Sequence, residues 1–124
     1  LALCKEAGCH TTVMLVPVIP LITDDQENLE ELFQLTRQHN ADSLLMWSLH
    51  LRGGTKPAFF RFLAQHFPSL RFAYRQLYSQ GSKARKVYRN NLHELESKLR
   101  ERYSIYAPEE EPVVQQGQQL TLPF

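Results

Sequence analysis

Thr12-Val-Met-Leu-Val-Pro-Val-Ile19 is an apolar run rich in β-branched residues, which is typical of a strand covered on both faces. A second run of this kind is Ser43-Leu-Leu-Met-Trp-Ser-Leu-His-Leu51. Because a helical segment separates the two runs, they predict a βαβ unit with parallel strands and a right-handed crossover. The fold class that follows is α/β, and the rest of the chain must be added to this unit.

The segment between the two runs predicts a helix of about four turns. Thr23 and Gln26, within Thr23-Asp24-Asp25-Gln26, have the spacing of a capping box, which predicts an N-cap in this stretch. His39-Asn40 is expected to end the helix, since Asn tolerates the left-handed conformation at that position. Four residues fall on one helical face: Leu29, Leu32, Phe33 and Thr36.

The charges are segregated along a chain of 124 residues whose net charge is only +1. Residues 1–70 contain five Lys/Arg and seven Asp/Glu, and residues 71–106 contain nine and three, which makes the second block +6 (9 − 3). The tail from Ala107 has three Glu and no base. A basic block of this size favours a polyanion such as DNA, with helices that simply expose charged faces to solvent as the alternative.

The two cysteines, Cys4 and Cys9, are interpreted as reduced, buried thiols. The spacing Cys4-x4-Cys9-His10 matches no standard zinc or iron-sulfur pattern, so no metal site is expected. With no recognisable signal peptide and no apolar run near the roughly 18 residues that span a bilayer, the sequence predicts a cytoplasmic protein without membrane contact.

Candidate site residues lie where the predicted strands end, because α/β sheets bind ligands at the carboxyl ends of their strands. Pro17 and Pro20 bracket the end of the first strand. In the second strand, Leu45, Trp47, Leu49 and Leu51 fall on one side, and Leu44, Met46, Ser48, His50 and Arg52 on the other. The second side becomes polar, which predicts that it lines a cleft while the first packs on helices. His50 and Arg52 are therefore candidate site residues, unless they merely reach solvent.

Three helices are expected after Gly53-Gly54: one from Thr55 to Pro68, one from Ser69 to Tyr78, and a longer one from Ser82. Their aromatic and leucine residues are interpreted as core. The candidate nucleic-acid contacts are four basic residues near the start of the last helix: Lys83, Arg85, Lys86 and Arg89.

These residues together resemble the C-terminal portion of a radical S-adenosylmethionine protein of the spore photoproduct lyase-like (DNA repair photolyase-like) group. The resemblance covers roughly residues 1–103, and Leu21 departs from it where relatives usually have Gly. The matching segments are Glu6-Ala-Gly8, Val13-Met-Leu-Val-Pro-Val-Ile-Pro20, Thr23-Asp24, Ser48-Leu-His-Leu-Arg52, Phe59, Phe60, Leu63 and Phe67-Pro68.

The resemblance implies that the two strands are the fifth and sixth of a partial (β/α)6 barrel. It divides the chain into the last βαβ unit of the barrel (1–54), a C-terminal helical region (55–106) and a flexible tail (107–124). The N-terminal Leu1–Gly8 segment has the composition of a helix end without a start, and two strands cannot form a doubly covered sheet, so we expect the C-terminal part of a longer protein.

The parent enzyme implied by the resemblance uses a [4Fe-4S] cluster and S-adenosylmethionine, and acts as a lyase on damaged DNA. The family's Cys-x3-Cys-x2-Cys motif is absent here, so the chain alone is expected to hold no cofactor, to be inactive, and to need the N-terminal half of the barrel as its partner. Pro17, Ile19, Pro20, His50 and Arg52 would border the adenosyl group or substrate. The alternative is a non-catalytic module that binds nucleic acid or the sliding clamp.

The tail sequence Gln119-Leu-Thr-Leu-Pro-Phe124 resembles the short peptide by which bacterial replication and repair proteins dock on the sliding clamp. Gln119 would fix the orientation of the peptide, and Leu120, Leu122 and Phe124 would fill an apolar pocket. An apolar tail that packs on its own domain is the alternative.

Overall fold

The computed structural model describes residues 1–109, which form a mixed α/β structure. The elements are α1 (Ala2–Glu6), β1 (Thr12–Val18), α2 (Gln26–Gln38), β2 (Ser43–Ser48), α3 (Thr55–His66), a 3-10 turn (Pro68–Leu70), α4 (Arg71–Leu77) and α5 (Lys86–Tyr103). The predicted strand-helix-strand order is confirmed, and β1 and β2 are parallel neighbours.

The pairing of the two strands contains one irregularity. Thr12 lies opposite Ser43 and Leu15 opposite Met46, but the next pair is Val18 with Ser48, so β1 has one extra residue between these pairs. Pro17 lies in this bulge and follows a cis peptide bond. A bulge is one of the few places where a strand accepts a residue without an N–H donor. The strand ends at Val18, within the range that the prolines predicted.

The capping-box prediction for α2 is wrong, because the N-cap is Asp25. The Asp25 carboxylate accepts a hydrogen bond of 3.0 Å from the Asn28 N–H. The Thr23 hydroxyl instead accepts one of 2.8 Å from the Ile19 N–H, and Asp24 accepts one of 2.9 Å from the Leu21 N–H. Thr23 and Asp24 therefore stabilise the loop between β1 and α2, and only Asp25 caps the helix.

The main hydrophobic core lies between one face of the sheet and the helices α2 and α5. Leu29 and Phe33 of α2 meet Leu99 of α5 over the buried Leu44 and Met46 of β2. A second cluster joins the end of β2 to α3 and α4, and it consists of Leu51, Leu63, Tyr74, Tyr78 and Ala84. The helical region is thus attached to the sheet by buried apolar side chains.

The other face of the sheet is open, so the described residues cover the strands on one face only. Met14 is 63% exposed and Trp47 is 49% exposed. The expected packing of β2 is reversed: Leu44, Met46 and Ser48 are buried on the helix-covered side, where Met46 and Ser48 also line a small cavity. The reason is that α2 and α5 both pack on the side that these three residues occupy.

The last helix begins at Lys86, four residues later than the sequence predicted. Residues 82–85 do not enter the helix because their backbone pairs with other segments: the Leu51 N–H donates to the Ser82 carbonyl at 2.7 Å, and the Arg85 N–H donates to the Leu77 carbonyl at 2.8 Å. α5 ends at Tyr103, and Ser104 takes the left-handed conformation.

A polar clamp joins the segments that precede the two strands. The Lys5 ammonium donates to the Asp42 carboxylate at 2.5 Å, and the Thr11 N–H donates to it at 2.6 Å. These bonds, with that of Lys5 the largest cause, hold the pKa of Asp42 well below its usual range. Cys4 and Cys9 lie nearby in sequence and are both exposed, so their interpretation as buried thiols is wrong.

Candidate functional site

A cluster of cationic side chains forms where β2 ends. His50 pairs with Lys83 through an antiparallel backbone bridge, next to the bond between Leu51 and Ser82. Gly81 precedes this extended segment. Its φ of 139° is one that residues with a side chain rarely adopt. The chain thereby returns from α4 to run beside the end of β2 before α5 begins.

His50 and Lys83 line one cavity of about 220 Å³ together with Arg89 of α5. Trp47 and Glu96 also border this cavity. The predicted strand-end residue His50 and two of the four predicted nucleic-acid contacts are thus brought to one place. We call His50, Arg52, Lys83 and Arg89 the basic cluster.

The positive charges of the basic cluster affect the pKa of His50. Burial lowers the pKa of this half-buried imidazole, and the positive charges of Lys83, Arg52 and Arg89 lower it further. His50 is therefore mainly neutral at pH 7, where an imidazole can donate one hydrogen bond and accept another. Because all three cations act on the same ring, the end of β2 is a region of concentrated positive potential.

The other two predicted nucleic-acid contacts lie apart from this cavity. Arg85 borders a larger, mostly apolar groove with Leu21 and Val87. Lys86 is exposed at the first position of α5 and does not line the cavity. Of the four predicted contacts, Lys83 and Arg89 therefore line the cavity and Arg85 and Lys86 do not.

The loop residues predicted to border a ligand are not all accessible. Pro20 is fully buried, and its carbonyl accepts a hydrogen bond from the Tyr74 hydroxyl. The Ile19 carbonyl accepts a bond of 2.9 Å from the Thr23 N–H. Pro17 is exposed and borders a small cavity between β1 and α2, separate from that of His50. Pro17 and His50, both predicted to lie at the barrel mouth, thus line two different cavities.

Three tyrosines that the sequence suggested only as core residues position both strand ends. Tyr74 holds the Pro20 carbonyl, Tyr78 donates to the Leu49 carbonyl at 2.7 Å, and Tyr88 donates to Asp24 at 2.8 Å. Burial raises the pKa of Tyr78 to about 12, and it also raises the pKa values of Tyr74 and Tyr88. The hydroxyls therefore stay protonated and act as fixed donors. The spacing of Tyr74 and Tyr78, one helical turn apart, is the signal that could have indicated a shared role.

Within residues 1–109, no three His, Cys, Asp or Glu side chains come together as a metal site would require. No helix in this range has the length and apolar character needed to cross a bilayer. The predicted clamp-binding residues Gln119, Leu120, Leu122 and Phe124 lie outside the described residues.

These features define an α/β protein with a parallel βαβ unit and a basic cluster at the end of its second strand. The chain is 35% identical over 101 residues to the uncharacterized protein Rv2578c of Mycobacterium tuberculosis and to the uncharacterized protein Mb2609c of Mycobacterium bovis. Each alignment covers 82% of this chain and 30% of the relative, so the chain spans about a third of the curated relatives it matches. No family model matches the chain, and no solved structure matches it.

Proposed function

We propose that this chain is the C-terminal part of a radical S-adenosylmethionine enzyme of the spore photoproduct lyase-like group, a lyase that acts on damaged DNA. The main support is the one-sided sheet. Both α2 and α5 cover the same face, whereas Met14 and Trp47 on the other face are exposed. Helices on one side of parallel strands are the arrangement of a (β/α) barrel, in which the second face points inward.

The free edge of β1 agrees with this proposal. Among the described residues, β1 pairs with β2 alone, and the opposite edge of β2 is met by short bridges to Tyr106 and Lys83. Parallel strands are normally buried within larger sheets. In the proposed barrel, further strands from a longer protein pair with β1 and cover Met14, and the 30% share of the relatives' length leaves room for such strands.

The residues of this chain do not fit an iron-sulfur cluster. The sequence has two cysteines, both exposed, and a [4Fe-4S] cluster needs several thiolates that converge on one site. In the proposed enzyme, the cluster and most S-adenosylmethionine contacts belong to the missing N-terminal part. His50 and Arg52 are the residues of this chain that we propose to face the substrate, and a cytoplasmic location is part of the same proposal.

The test measures formation of 5′-deoxyadenosine from S-adenosylmethionine. A longer protein that contains this chain, purified without oxygen and reduced with dithionite, should form it, and ultraviolet-damaged DNA should change the rate. The 124-residue chain, treated with iron and sulfide, serves as the control and should stay colourless. A longer protein that binds no cluster, or that leaves S-adenosylmethionine intact, would contradict the proposal.

The second candidate is a non-catalytic module that recruits nucleic acid. The basic cluster of this chain favours this candidate. In this case the chain should bind DNA while the longer protein lacks cluster and cleavage activity. Docking on the sliding clamp through Gln119, Leu120, Leu122 and Phe124 belongs to both candidates and needs a separate experiment.

A further inference from the structure

We propose that His50, Lys83 and Arg89 form a binding site for a phosphate group at the end of β2. The three side chains come from three segments that are distant in sequence, and they line one cavity of about 220 Å³. This inference does not depend on radical chemistry, because it rests on the contacts of the basic cluster alone.

Among the described residues, Arg52, Lys83 and Arg89 form no ion pair of the kind that Lys5, Arg100 and Arg102 form. Lys5 pairs with Asp42, Arg100 with Glu96, and Arg102 with Glu30. Like charges that gather around one half-buried imidazole repel each other, and a bound anion removes that repulsion.

The acidic residue nearest to the site is already engaged. Glu96 borders the same cavity, but its carboxylate accepts hydrogen bonds from Arg100, one of them 2.9 Å long, and lies 3.7 Å from His93. The charge of Glu96 is therefore offset by Arg100, which leaves the charge of Lys83 and Arg89 available. A ligand that enters the cavity meets the positive charges of Lys83 and Arg89, and the neutral His50 imidazole can add a hydrogen-bond donor.

Hydrogen bonds hold the backbone of Lys83 and the guanidinium of Arg89 in place. The Arg89 Nε–H donates to the Ala84 carbonyl at 3.0 Å, which orients the guanidinium, and the bridge to His50 fixes the backbone of Lys83. A site that is already in place loses little conformational entropy when a ligand binds. An Arg supplies paired N–H donors and a Lys supplies a point charge, a combination well suited to phosphate oxygens.

The edge of β2 that faces away from β1 borders the same cavity. The Leu44 N–H points away from β1, since it donates to the Tyr106 carbonyl at 3.0 Å. In a regular strand, residues two apart point their backbone polar groups in the same direction, so those of Met46 and Ser48 face this side as well. Both residues line the cavity. The N–H groups of Met46 and Ser48 are therefore further candidate donors to a phosphate, since the edge of a sheet can help to bind an anion.

The phosphate can come from a terminal monoester or from a nucleic-acid backbone, and both present the same oxygens. Trp47 is the only tryptophan of the chain, is half exposed and borders the cavity, so its fluorescence reports binding. The 124-residue chain is titrated at constant ionic strength with inorganic phosphate, with a 5′-phosphorylated oligothymidylate, and with the same oligonucleotide lacking the 5′-phosphate.

Saturable binding of any of these probes supports the site, and the comparison of the two oligonucleotides identifies the source. Preference for the phosphorylated one indicates a monoester, and equal binding indicates the phosphodiester backbone. The absence of saturable binding with all three probes would overturn the proposal.

A matched pair of double variants tests the assignment of residues. Lys83→Gln with Arg89→Gln should weaken binding by about tenfold or more, because each contact is a charge-assisted hydrogen bond. Arg85→Gln with Lys86→Gln removes the same charge from neighbouring residues outside the cavity and should change the affinity less than about threefold. Equal weakening by both pairs would mean a diffuse basic surface and would refute the site. Lys83→Gln alone, at an exposed side chain, gives the same comparison if the double variant folds poorly.

Discussion

The Tyr88 hydroxyl donates a 2.8 Å hydrogen bond to the Asp24 carboxylate, which joins the first turn of α5 to the loop after β1. The two residues are 64 positions apart, and Tyr88 belongs to the packing of both hydrophobic clusters. The next residue, Arg89, enters the basic cluster. This bond therefore links the position of the cluster to the carboxyl end of β1.

Replacement of Tyr88 by Phe should reduce the free energy of unfolding by about 1–2 kcal/mol, because a partly buried bond to a carboxylate is lost while the ring remains. Urea denaturation followed by circular dichroism measures the change. Tyr106→Phe is the control, since Tyr106 is 72% exposed and should change stability by less than about 0.5 kcal/mol. Equal stability of Tyr88→Phe and the wild type would show that the bond contributes nothing.

The Asp42 clamp should make stability depend on acid pH. Because Lys5 and Thr11 hold the pKa of folded Asp42 below its unfolded value of about 4, the contribution is present above about pH 4 and is lost as the pH falls towards the folded pKa. Asp42→Asn should therefore be less stable at pH 7 and show a flatter loss of stability between about pH 5 and pH 2. Thermal denaturation across this range tests it, with the exposed Glu31→Gln as the control. A parallel pH profile for Asp42→Asn and wild type would exclude the clamp.

The local pattern of the sequence sufficed for the βαβ unit and for the carboxyl end of β1. Apolar runs and helical periodicity report burial along one element, and they located α2 and both strands within a few residues. The N-cap was missed because Thr23, Asp24 and Asp25 are all good caps, and local sequence does not reveal that Asp24 binds the distant Tyr88 while Asp25 caps the helix. The faces of β2 were reversed because nothing local specifies which side two remote helices will cover.

The residues of the basic cluster were predicted, but not that they lie together. His50 and Lys83 are separated by a helical region, and they meet because the backbone of Ser82 and Lys83 pairs with the end of β2. A backbone bridge does not depend on the identity of the side chains, so no periodic pattern in the sequence reveals it. For the same reason, the sequence grouped Arg85 and Lys86 with Lys83, although neither of them lines the cavity.

The open face of the sheet should respond differently in the chain and in a longer protein. In the 124-residue chain, Met14→Gln should change the free energy of unfolding by less than about 0.5 kcal/mol, because this side chain is 63% exposed. In a longer protein whose strands cover Met14, the same substitution should cost about 2 kcal/mol or more. Met46→Gln, at a site that is 7% exposed, should destabilise both proteins and serves as the control. A neutral effect of Met14→Gln in both would argue against a covering layer.

Gln119-Leu-Thr-Leu-Pro-Phe124 should bind a bacterial sliding clamp with micromolar or weaker affinity. Burying Leu120, Leu122 and Phe124 is worth about 1.5–3 kcal/mol each, a gross of roughly 5–9 kcal/mol from which several are lost to ordering the peptide. A fluorescent peptide of residues 115–124, titrated with clamp, measures the affinity by anisotropy. Gln119→Ala with Phe124→Ala should abolish saturation, because it removes the orienting amide and the largest apolar group. Absence of saturable binding below about a millimolar would reject the motif, since binding weaker than this does not need a defined pocket. Equal binding of the double variant would also reject it.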